Sequence, residues 1–449
     1  MNVAKRCFLA LLTALLAACA GTAPRDTYPP IVFVHGNGDT AALWYPTVWR
    51  FESNGWPRER LFAVDLPYPL ARTDDRLPQE GRSSAAENMR NLAAEVERVR
   101  KITGADKVVL VGNSRGSLVI RDFIRNGGGA VAVSRAVLGG GPNHGVWSSD
   151  AYIPGSEFNG RSPFQRALNS PQGPDGLEVT PGVAFMTLRS DGNDKFAQPD
   201  GRWFGQPKMA SNVTHDGPAL KGAENVVLPG LDHREVSYHP LAFAQTWRFL
   251  TGKMPALTEV VPEAKVVLDG RITGFERNDQ TNLPLGGASI EVYEVSAQTG
   301  ERRGAAVHSK AVGADGQWGP FNARPDVPYE FVVRAPGFAI AHYYRPPFPR
   351  SSVFIHFRPA RIADADKDAA SVVAMTRPRG YFGPGRDAMS LDGKPPPGLP
   401  AGVPGISLVK LKLAEAAPRS VVAEFNGQRI VARTWPQKDN HVVFAEFHD

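Results

Sequence analysis

The residues best able to do chemistry are a serine between two glycines, in the segment Gly112-Asn113-Ser114-Arg115-Gly116. The segment follows an apolar run at 107–111 that predicts a buried strand, and the apolar spacing after it predicts a helix. A serine on such a sharp turn is exposed at the end of the strand, where the helix amino terminus favours developing negative charge. Because an ordinary strand-helix turn can also hold a serine between glycines, Ser114 needs partners to act as a nucleophile.

The elements that must position this serine lie before residue 255. Short apolar runs alternate there with helical patterns, which predicts a mostly parallel sheet covered by helices. Helices are expected after Ser83 or Ser84, where a serine can cap the first turn, directly after the serine turn, and at about 240–250. Strands are expected at 30–34, 61–64, 107–111, 136–138, 183–188 and 226–228.

The sequence after residue 258 changes character. Residues 265–359 contain short alternating strands separated by turn signals, which predicts a small β-sandwich. The segments Asp315-Gly316-Gln317-Trp318 and Ala335-Pro336-Gly337 resemble the transthyretin-like regulatory modules attached to carboxypeptidases. A second β-rich piece follows from residue 360 and is interrupted by a proline-rich loop at 395–400.

Residues 29–252 resemble bacterial and archaeal lipases and esterases of the α/β-hydrolase superfamily. The resemblance is carried, in order along the chain, by His35-Gly36, the serine turn, Gly141-Pro142-Asn143-His144-Gly145 and Asp232-His233. It implies a mostly parallel α/β-hydrolase sheet flanked by helices, and acyl-ester hydrolysis with no cofactor and no metal. One archaeal lipase type with carboxy-terminal β domains is similar in overall plan. The predicted division is a catalytic domain at 29–253, a β-sandwich module at 264–359 and a second β-rich module at 360–449.

His233 is the predicted general base. The family order along the chain is serine, acid, histidine, so His35 and His144 come too early, and five of the ten histidines lie in the β modules. His233 follows the last predicted core strand and precedes the last predicted helix, where the catalytic histidine of this fold stands. His239 precedes Pro240 and is expected to cap that helix.

Two aspartates follow the strand predicted at 183–188 and compete for the role of the triad acid. Asp191 precedes a glycine, and because Asp-Gly is a good turn former, Asp191 is expected in the turn. Asp194, with Pro199 five residues later, resembles the lipase pattern of an aspartate before a proline-containing loop. Asp194 is therefore the predicted acid and Asp191 its alternative, with Asp150 as the candidate if neither contributes.

The resemblance also implies two backbone donors for an oxyanion hole. In lipases with a His-Gly turn the residue after the turn supplies one N–H group, and here that residue is Asn37. The N–H group of Arg115, directly after the nucleophile, supplies the other. The imidazole of His35 is expected to have only a structural role.

The first residues of the chain predict export. Residues 1–18 combine a basic start, a short apolar stretch and small residues, which is typical of a signal peptide. The segment Leu16-Ala17-Ala18-Cys19 resembles the lipobox of bacterial lipoproteins, which implies cleavage before Cys19, acylation of its thiol and a short linker at 19–28. Ala20 in place of an aspartate indicates the outer membrane of a Gram-negative bacterium, while ordinary secretion is the alternative.

Cysteine content and charge exclude several classes of protein. Of the two cysteines, one leaves with the signal peptide and the other carries lipid, so the mature chain forms no disulfide and holds no zinc through thiolates. Acidic and basic residues are interspersed, which gives no support for a nucleic-acid partner. The expected partners are an ester or lipid substrate and the membrane that holds the anchor.

Substrate preference stays open at the level of sequence. Arg115 stands where many lipases have Met or Gln, and Asn113 where many have His. Residues 142–181 carry several aromatic side chains and form either a mobile lid for acyl chains or a packed cap, and residues 196–222 are a second candidate wall. Acyl esters of lipids are the expected substrate. The alternatives are a polyester depolymerase of the polyhydroxyalkanoate type, whose β modules would grip the polymer, and a non-catalytic hydrolase-like binding lipoprotein.

Overall fold

The computed structural model describes residues 28–449. The predicted signal peptide at 1–18, Cys19 and all but the last residue of the 19–28 linker therefore lie outside the described residues. Among residues 28–449, no helix is long and apolar enough to cross a membrane.

A six-stranded sheet forms the centre of the first half of the chain. Its strands are β1 (Ile31–Val34), β2 (Leu61–Val64), β3 (Val108–Asn113), β4 (Val133–Gly139), β5 (Ala184–Ser190) and β8 (Glu224–Leu228); β6 (Asp200–Gly201) and β7 (Gln206–Ala210) form a separate pair. The order is β2-β1-β3-β4-β5-β8, and every neighbouring pair is parallel. The central strands β1 and β3 are buried along their whole length, which explains their unbroken apolar sequences.

Helices cover both faces of this sheet. Helices that contain Leu92 and Phe123 pack on one face, whereas helices that contain Phe51 and Phe243 pack on the other. The helices are α1 (Tyr45–Ser53), α2 (Ala85–Thr103), α3 (Arg115–Asn126), α4 (Gly129–Ala132), α5 (Pro163–Leu168), α6 (Glu235–Tyr238) and α7 (Pro240–Thr251), with short 3-10 helices at Ala41–Trp44, Arg58–Arg60, Arg202–Phe204, Asp364–Asp366 and Gln437–Asp439. This arrangement confirms the prediction of a mostly parallel sheet flanked by helices.

Helix α2 shows how local sequence sets an element boundary. Ser84, one of the two predicted caps, accepts a hydrogen bond from the N–H group of Glu87, and the Glu87 carboxylate accepts one from the N–H group of Ser84 in return. Gly104, with φ 67°, ends the helix in the left-handed conformation that glycine adopts without strain. The helix then packs on α3, the helix that follows the serine turn.

The second half of the chain is all-β, as predicted. Its strands are β9 (Val266–Leu268), β10 (Thr273–Glu276), β11 (Asp279–Pro284), β12 (Ser289–Glu294), β13 (His308–Ala311), β14 (Phe321–Ala323), β15 (Tyr329–Arg334), β16 (Ile340–Arg345), β17 (Ser371–Thr376), β18 (Met389–Leu391), β19 (Leu408–Leu413), β20 (Ser420–Phe425), β21 (Gln428–Arg433) and β22 (His441–Glu446). A seven-stranded sheet of order β13-β12-β15-β16-β22-β17-β19 crosses the predicted module boundary at residue 360, where β16 pairs in parallel with β22. The two modules are thus joined by one sheet, and their division at that residue stays a prediction.

The catalytic half shares a hydrophobic core with the β half. Tyr45 and Trp49 of α1 are buried among the apolar side chains of the first β module. The Trp49 indole donates to the carbonyl of Ser351 at 2.9 Å, and the Tyr45 hydroxyl lies 2.9 Å from Nδ1 of His448. These contacts hold the β modules against the sheet that carries the serine turn.

Candidate active site

Ser114 occupies a sharp turn between β3 and α3. Its backbone has φ 52° and ψ −120°, a conformation that a residue with a side chain rarely adopts. The N–H group of Ser114 donates to the carbonyl of Gly139 on the neighbouring strand β4 at 2.8 Å. The residue is partly exposed although the strand before it is buried. This is the geometry of a nucleophile elbow.

The glycines around Ser114 are required by close packing. A Cβ on Gly116 would lie 2.4 Å from the carbonyl oxygen of Val34, and a Cβ on Gly112 would lie 2.7 Å from a side-chain carbon of Ile120. A Cβ on Gly36 would lie 3.0 Å from the Cβ of Ser114. The loop after β1 therefore lies directly beside the serine.

His233 and Asp194 form a buried hydrogen-bonded pair. Nδ1 of His233 lies 2.8 Å from Oδ2 of Asp194, and the side chains are 4% and 10% exposed. Oδ1 of Asp194 accepts from the N–H group of Phe196 at 2.8 Å, and the Phe196 ring packs edge-on against the imidazole. Because a carboxylate can only accept, Nδ1 carries the proton and Nε2 is the acceptor in the neutral imidazole. Nε2 of His233 is buried and has no hydrogen-bond partner among residues 28–449.

Asn113 connects the serine turn to the histidine loop. Its side-chain amide donates to the carbonyl of His233 at 3.2 Å, to the hydroxyl of Ser237 at 2.7 Å and to the carbonyl of Gly139 at 3.3 Å. Asn113 is fully buried. The residue directly before Ser114 thus fixes the backbone of His233 relative to the turn.

Asp191 and Asp150, the two alternative acids, make hydrogen bonds and ion pairs with groups other than His233. Asp191 accepts from the N–H groups of Asn193 at 3.1 Å and Gly230 at 3.0 Å, so it joins the loop after β5 to the loop after β8. Burial alone would raise the pKa of Asp191, but the hydrogen bonds from these groups lower it below its ordinary value. Asp150 is exposed and pairs with Arg161 at 2.5 Å. The structure brings Asp194, and not these two, to His233.

The N–H groups of the two predicted oxyanion donors have no acceptor among the residues that the structure describes. Arg115 is the first residue of α3, and N–H groups in the first turn of a helix have no helical partner. Asn37 is exposed, its side chain accepts from the N–H group of Ala71 at 2.8 Å, and its own N–H group donates no hydrogen bond within the described part of the chain. Either group can donate to a negatively charged oxygen.

His35 has the structural position expected of it. The N–H group of Leu66 donates to Nε2 at 3.1 Å, so Nδ1 carries the proton and donates to the carbonyl of Gly36 at 2.9 Å. Burial lowers the pKa of His35, which keeps the ring neutral. The imidazole therefore orders the loop after β1.

The side chain of Arg115 fastens residues 142–181 to the serine turn. Its guanidinium makes a bidentate ion pair with Glu157, at 2.6 and 2.9 Å, and both side chains are 1% exposed. It also donates to the carbonyls of Ser83 at 2.7 Å and Pro69 at 3.0 Å. A Met or Gln at this position could not make this set of contacts.

Residues 142–181 are packed as a cap in this structure. Trp147 is 6% exposed and contacts the rings of Tyr152 and Phe204, the latter from the predicted second wall at 196–222. Asn159 is fully buried and donates to backbone carbonyls within the same segment. The sequence allowed these aromatic residues to form either a mobile lid or a packed cap. In the structure they form a small hydrophobic core of their own.

The β modules contribute residues that sequence reasoning did not find. Arg377 donates to Asp232 at 3.2 Å and to Glu235, and Arg386 donates to Glu235 at 2.8 Å. Burial, together with repulsion from Glu235, raises the pKa of Asp232 to about 6. These carboxylates bracket His233, so the second β module holds the histidine loop. No local sequence pattern could reveal contacts between positions about 140 to 150 residues apart.

The described residues offer no metal centre. No group of three or more His, Cys, Asp or Glu side chains in residues 28–449 is arranged to hold a metal ion.

Two family models match the chain. Residues 28–149 match Lipase (class 2), and residues 264–362 match the Lipase C-terminal domain. These matches confirm the predicted resemblance to lipases of the α/β-hydrolase type with β modules behind the hydrolase domain. They also confirm the predicted enzyme class, a carboxylic ester hydrolase. The resemblance of the first module to transthyretin-like domains stays a prediction.

Solved structures of lipases are similar over part of the chain. Lipase BlEst2 of Bacillus licheniformis in its mature form is 22% identical over 51% of this chain and 95% of its own, with a TM-score of 0.35. Monoacylglycerol lipase of Paleococcus ferrophilus is 14% identical over 50% of this chain and 96% of its own, with a TM-score of 0.32. Lipase B of Aspergillus fumigatus is 18% identical over 53% of this chain, which spans 56% of that lipase, with a TM-score of 0.35. The assignment to lipases with a β module behind the hydrolase domain rests on the two family matches at 28–149 and 264–362.

Proposed function

We propose that the protein hydrolyses acyl esters of lipids with a Ser114–His233–Asp194 triad. The observation that carries this proposal is the buried His233–Asp194 pair. Nε2 of His233 has no hydrogen-bond partner within residues 28–449, and the His233 backbone is bonded to the serine turn through Asn113. A histidine oriented by a carboxylate, whose loop is bonded to the residue before a partly exposed elbow serine, is the arrangement that we expect for acyl transfer.

The proposed reaction uses only groups of this chain and water. Ser114 Oγ attacks the ester carbonyl carbon while Nε2 of His233 takes its proton, and Asp194 stabilises the imidazolium through Nδ1. The N–H groups of Asn37 and Arg115 stabilise the oxyanion of the tetrahedral intermediate. The imidazolium then protonates the leaving alcohol, and a water molecule hydrolyses the acyl-enzyme with His233 again as the base.

The lining of the site supports an apolar acyl chain. A cavity bordered by Asp194 and His233 is lined by apolar residues, including Val146, Phe196, Val213 and Leu220, together with polar ones, including Thr187, Arg189, His215 and Asn225. Phe196 contacts the imidazole directly. An acyl chain placed in this cavity would lie beside the proposed base.

The test is a p-nitrophenyl ester series of increasing chain length with wild type and Ser114→Ala. Removal of the nucleophile should lower kcat by at least about 10³-fold, because triad members act as a unit. Ser117→Ala is the matched control, since it removes a buried hydroxyl three residues further along and should keep activity. Retention of more than about one per cent of turnover by folded Ser114→Ala would overturn the proposal. No turnover of any ester by folded wild type would instead favour a non-catalytic binding function.

One observation favours a polymeric substrate as the second candidate. A cleft of about 620 Å³ lies between the catalytic half and the β modules, bordered by Gly38, Asp39 and Arg234 on one side and by Tyr343 and Phe444 on the other. Such a cleft could hold an extended chain. Release of soluble hydroxy acids from a polyhydroxyalkanoate film, with no hydrolysis of triacylglycerol, would favour the depolymerase.

A further inference from the structure

Strand β11 of the first β module inserts two amide side chains beside the loop that carries Asn37. Gln280 donates to the carbonyl of Gly38 at 2.6 Å. Asn282 donates to the carbonyl of Asp39 and to that of Leu66, each at 2.9 Å. Asn282 is 3% exposed. Two consecutive backbone carbonyls of the loop therefore accept hydrogen bonds from side chains of another module.

Arg358 fixes the orientation of both amides. One guanidinium nitrogen donates to Oε1 of Gln280 at 2.7 Å, and another donates to Oδ1 of Asn282 at 2.9 Å. Because arginine has donors only, the amide oxygens must face Arg358 and the amide NH₂ groups must face the loop carbonyls. Arg358, Gln280 and Asn282, which we name the amide clamp, form one hydrogen-bonded unit.

The amide clamp reaches the Asn37 N–H group through His35. Nδ2 of Asn282 lies 3.2 Å from Nε2 of His35 and donates to the carbonyl of Leu66, and the N–H group of Leu66 donates to that Nε2. Because the Leu66 N–H group donates to Nε2, the proton is on Nδ1, and Nδ1 donates to the carbonyl of Gly36. The Gly36 carbonyl and the Asn37 N–H belong to one planar trans peptide and point in opposite directions. Holding that carbonyl therefore aims the N–H group.

We propose that Gln280 and Asn282, ordered by Arg358, are positioning residues that aim the Asn37 N–H group at the oxyanion. The β module is then a working part of the catalytic site and not only an attached domain. This inference rests on the proposed function, because it assigns the amide clamp to the same reaction. It predicts a loss in kcat, since an oxyanion donor acts on the transition state more than on the bound ester.

The test compares two variants with a matched control in the full chain. Gln280→Met keeps the length of the side chain but cannot donate to Gly38, and Asn282→Asp keeps its shape but cannot donate at all. Gln298→Met makes the first change at an exposed position of the same module, away from the loop. Steady-state kinetics with p-nitrophenyl butyrate and thermal unfolding are measured for each.

We expect kcat to fall about 10-fold or more in Gln280→Met and further in Asn282→Asp, towards the 10²–10³-fold loss of an oxyanion donor. KM should change less than about threefold, and Gln298→Met should match wild type. Unchanged kcat in folded Gln280→Met, or a rise in KM alone, would overturn the inference. If Asn282→Asp does not fold, the value of kcat for Gln280→Met alone tests the inference. Full activity in Ser114→Ala would instead reject the proposed function, so the two failures are distinguishable.

Discussion

The carboxylate of Asp194 lies 2.8 Å from the protonated nitrogen of His233. Asp191, three residues earlier, bonds to backbone N–H groups of its own and of the next loop. Asp194→Asn should therefore lower kcat by roughly 10⁴, because the imidazole loses the partner that fixes its tautomer. Asp191→Asn should cost far less, since an Asn-Gly turn forms about as readily as Asp-Gly. Both are measured as kcat on a short p-nitrophenyl ester.

The reverse order of these two effects would make Asp191 the acid and would contradict the assignment of Asp194. A comparable loss in both variants together with lowered thermal stability would show that the loop, and not the triad, had been damaged.

The buried pair Arg115–Glu157 should matter for stability in a way that a double variant can reveal. Arg115→Met leaves the Glu157 carboxylate buried without a cation, and such a break costs about 3–5 kcal/mol. Adding Glu157→Gln removes the charge and should restore a large part of that loss. Urea unfolding of the single and double variants measures the difference. Equal destabilisation in both would show that hydrogen bonding, and not the uncompensated charge, dominates.

The contact between Asp65 and His356 makes stability depend on pH. Burial alone would raise the pKa of Asp65, but attraction to His356 and hydrogen bonds from His356 and the Ala41 N–H group hold the pKa at about 2, below its ordinary value of 3.8. A carboxylate with a lowered pKa stabilises the fold above pH 4, and that contribution of about 2 kcal/mol is lost as the pH falls from 4 towards 2.

Asp65→Asn should therefore be less stable than wild type at pH 5 and should lose less stability between pH 4 and 2. Unfolding by urea at pH 5, 4, 3 and 2 gives the comparison. Parallel curves for the two proteins would mean that Asp65 does not carry this pH dependence.

Membrane attachment through Cys19 stays a prediction from the sequence. If its thiol carries lipid, Cys19→Ser should move the protein from the membrane fraction to the soluble fraction of the cell envelope, because no acyl chain remains to hold it. Immunoblots of the two fractions test this. Equal retention of both proteins in membranes would show that the anchor is something other than lipid on this cysteine.

Local sequence was sufficient to predict the serine turn and the strands that lead to the residues of the proposed triad. Ser114 lies between a strand and a helix that each have a clear pattern, and Asp194 and His233 follow β5 and β8, which are neighbours in the sheet. Helix α1 was not predicted, because seven of its nine residues are buried and it therefore has no polar face to give a helical period.

The contacts between modules could not be predicted. Asn282 meets His35 across 247 positions and Arg377 meets Asp232 across 145. Asparagine and arginine are common on protein surfaces, so nothing in the local sequence marks Asn282 or Arg377. Only the folded chain brings them to the loops that hold His35 and Asp232. The same holds for Arg115, whose buried pairing with Glu157 depends on the path of residues 142–181.

Activation of Ser114 by His233 can be tested by labelling the active protein with a fluorophosphonate, which phosphonylates activated serines, and locating the adduct by peptide mass spectrometry. We expect one adduct per molecule on Ser114, loss of activity in proportion to labelling, and labelling slowed at least about 10³-fold in His233→Ala. An adduct on another serine that accounts for the lost activity, or full activity in protein labelled at Ser114, would contradict it.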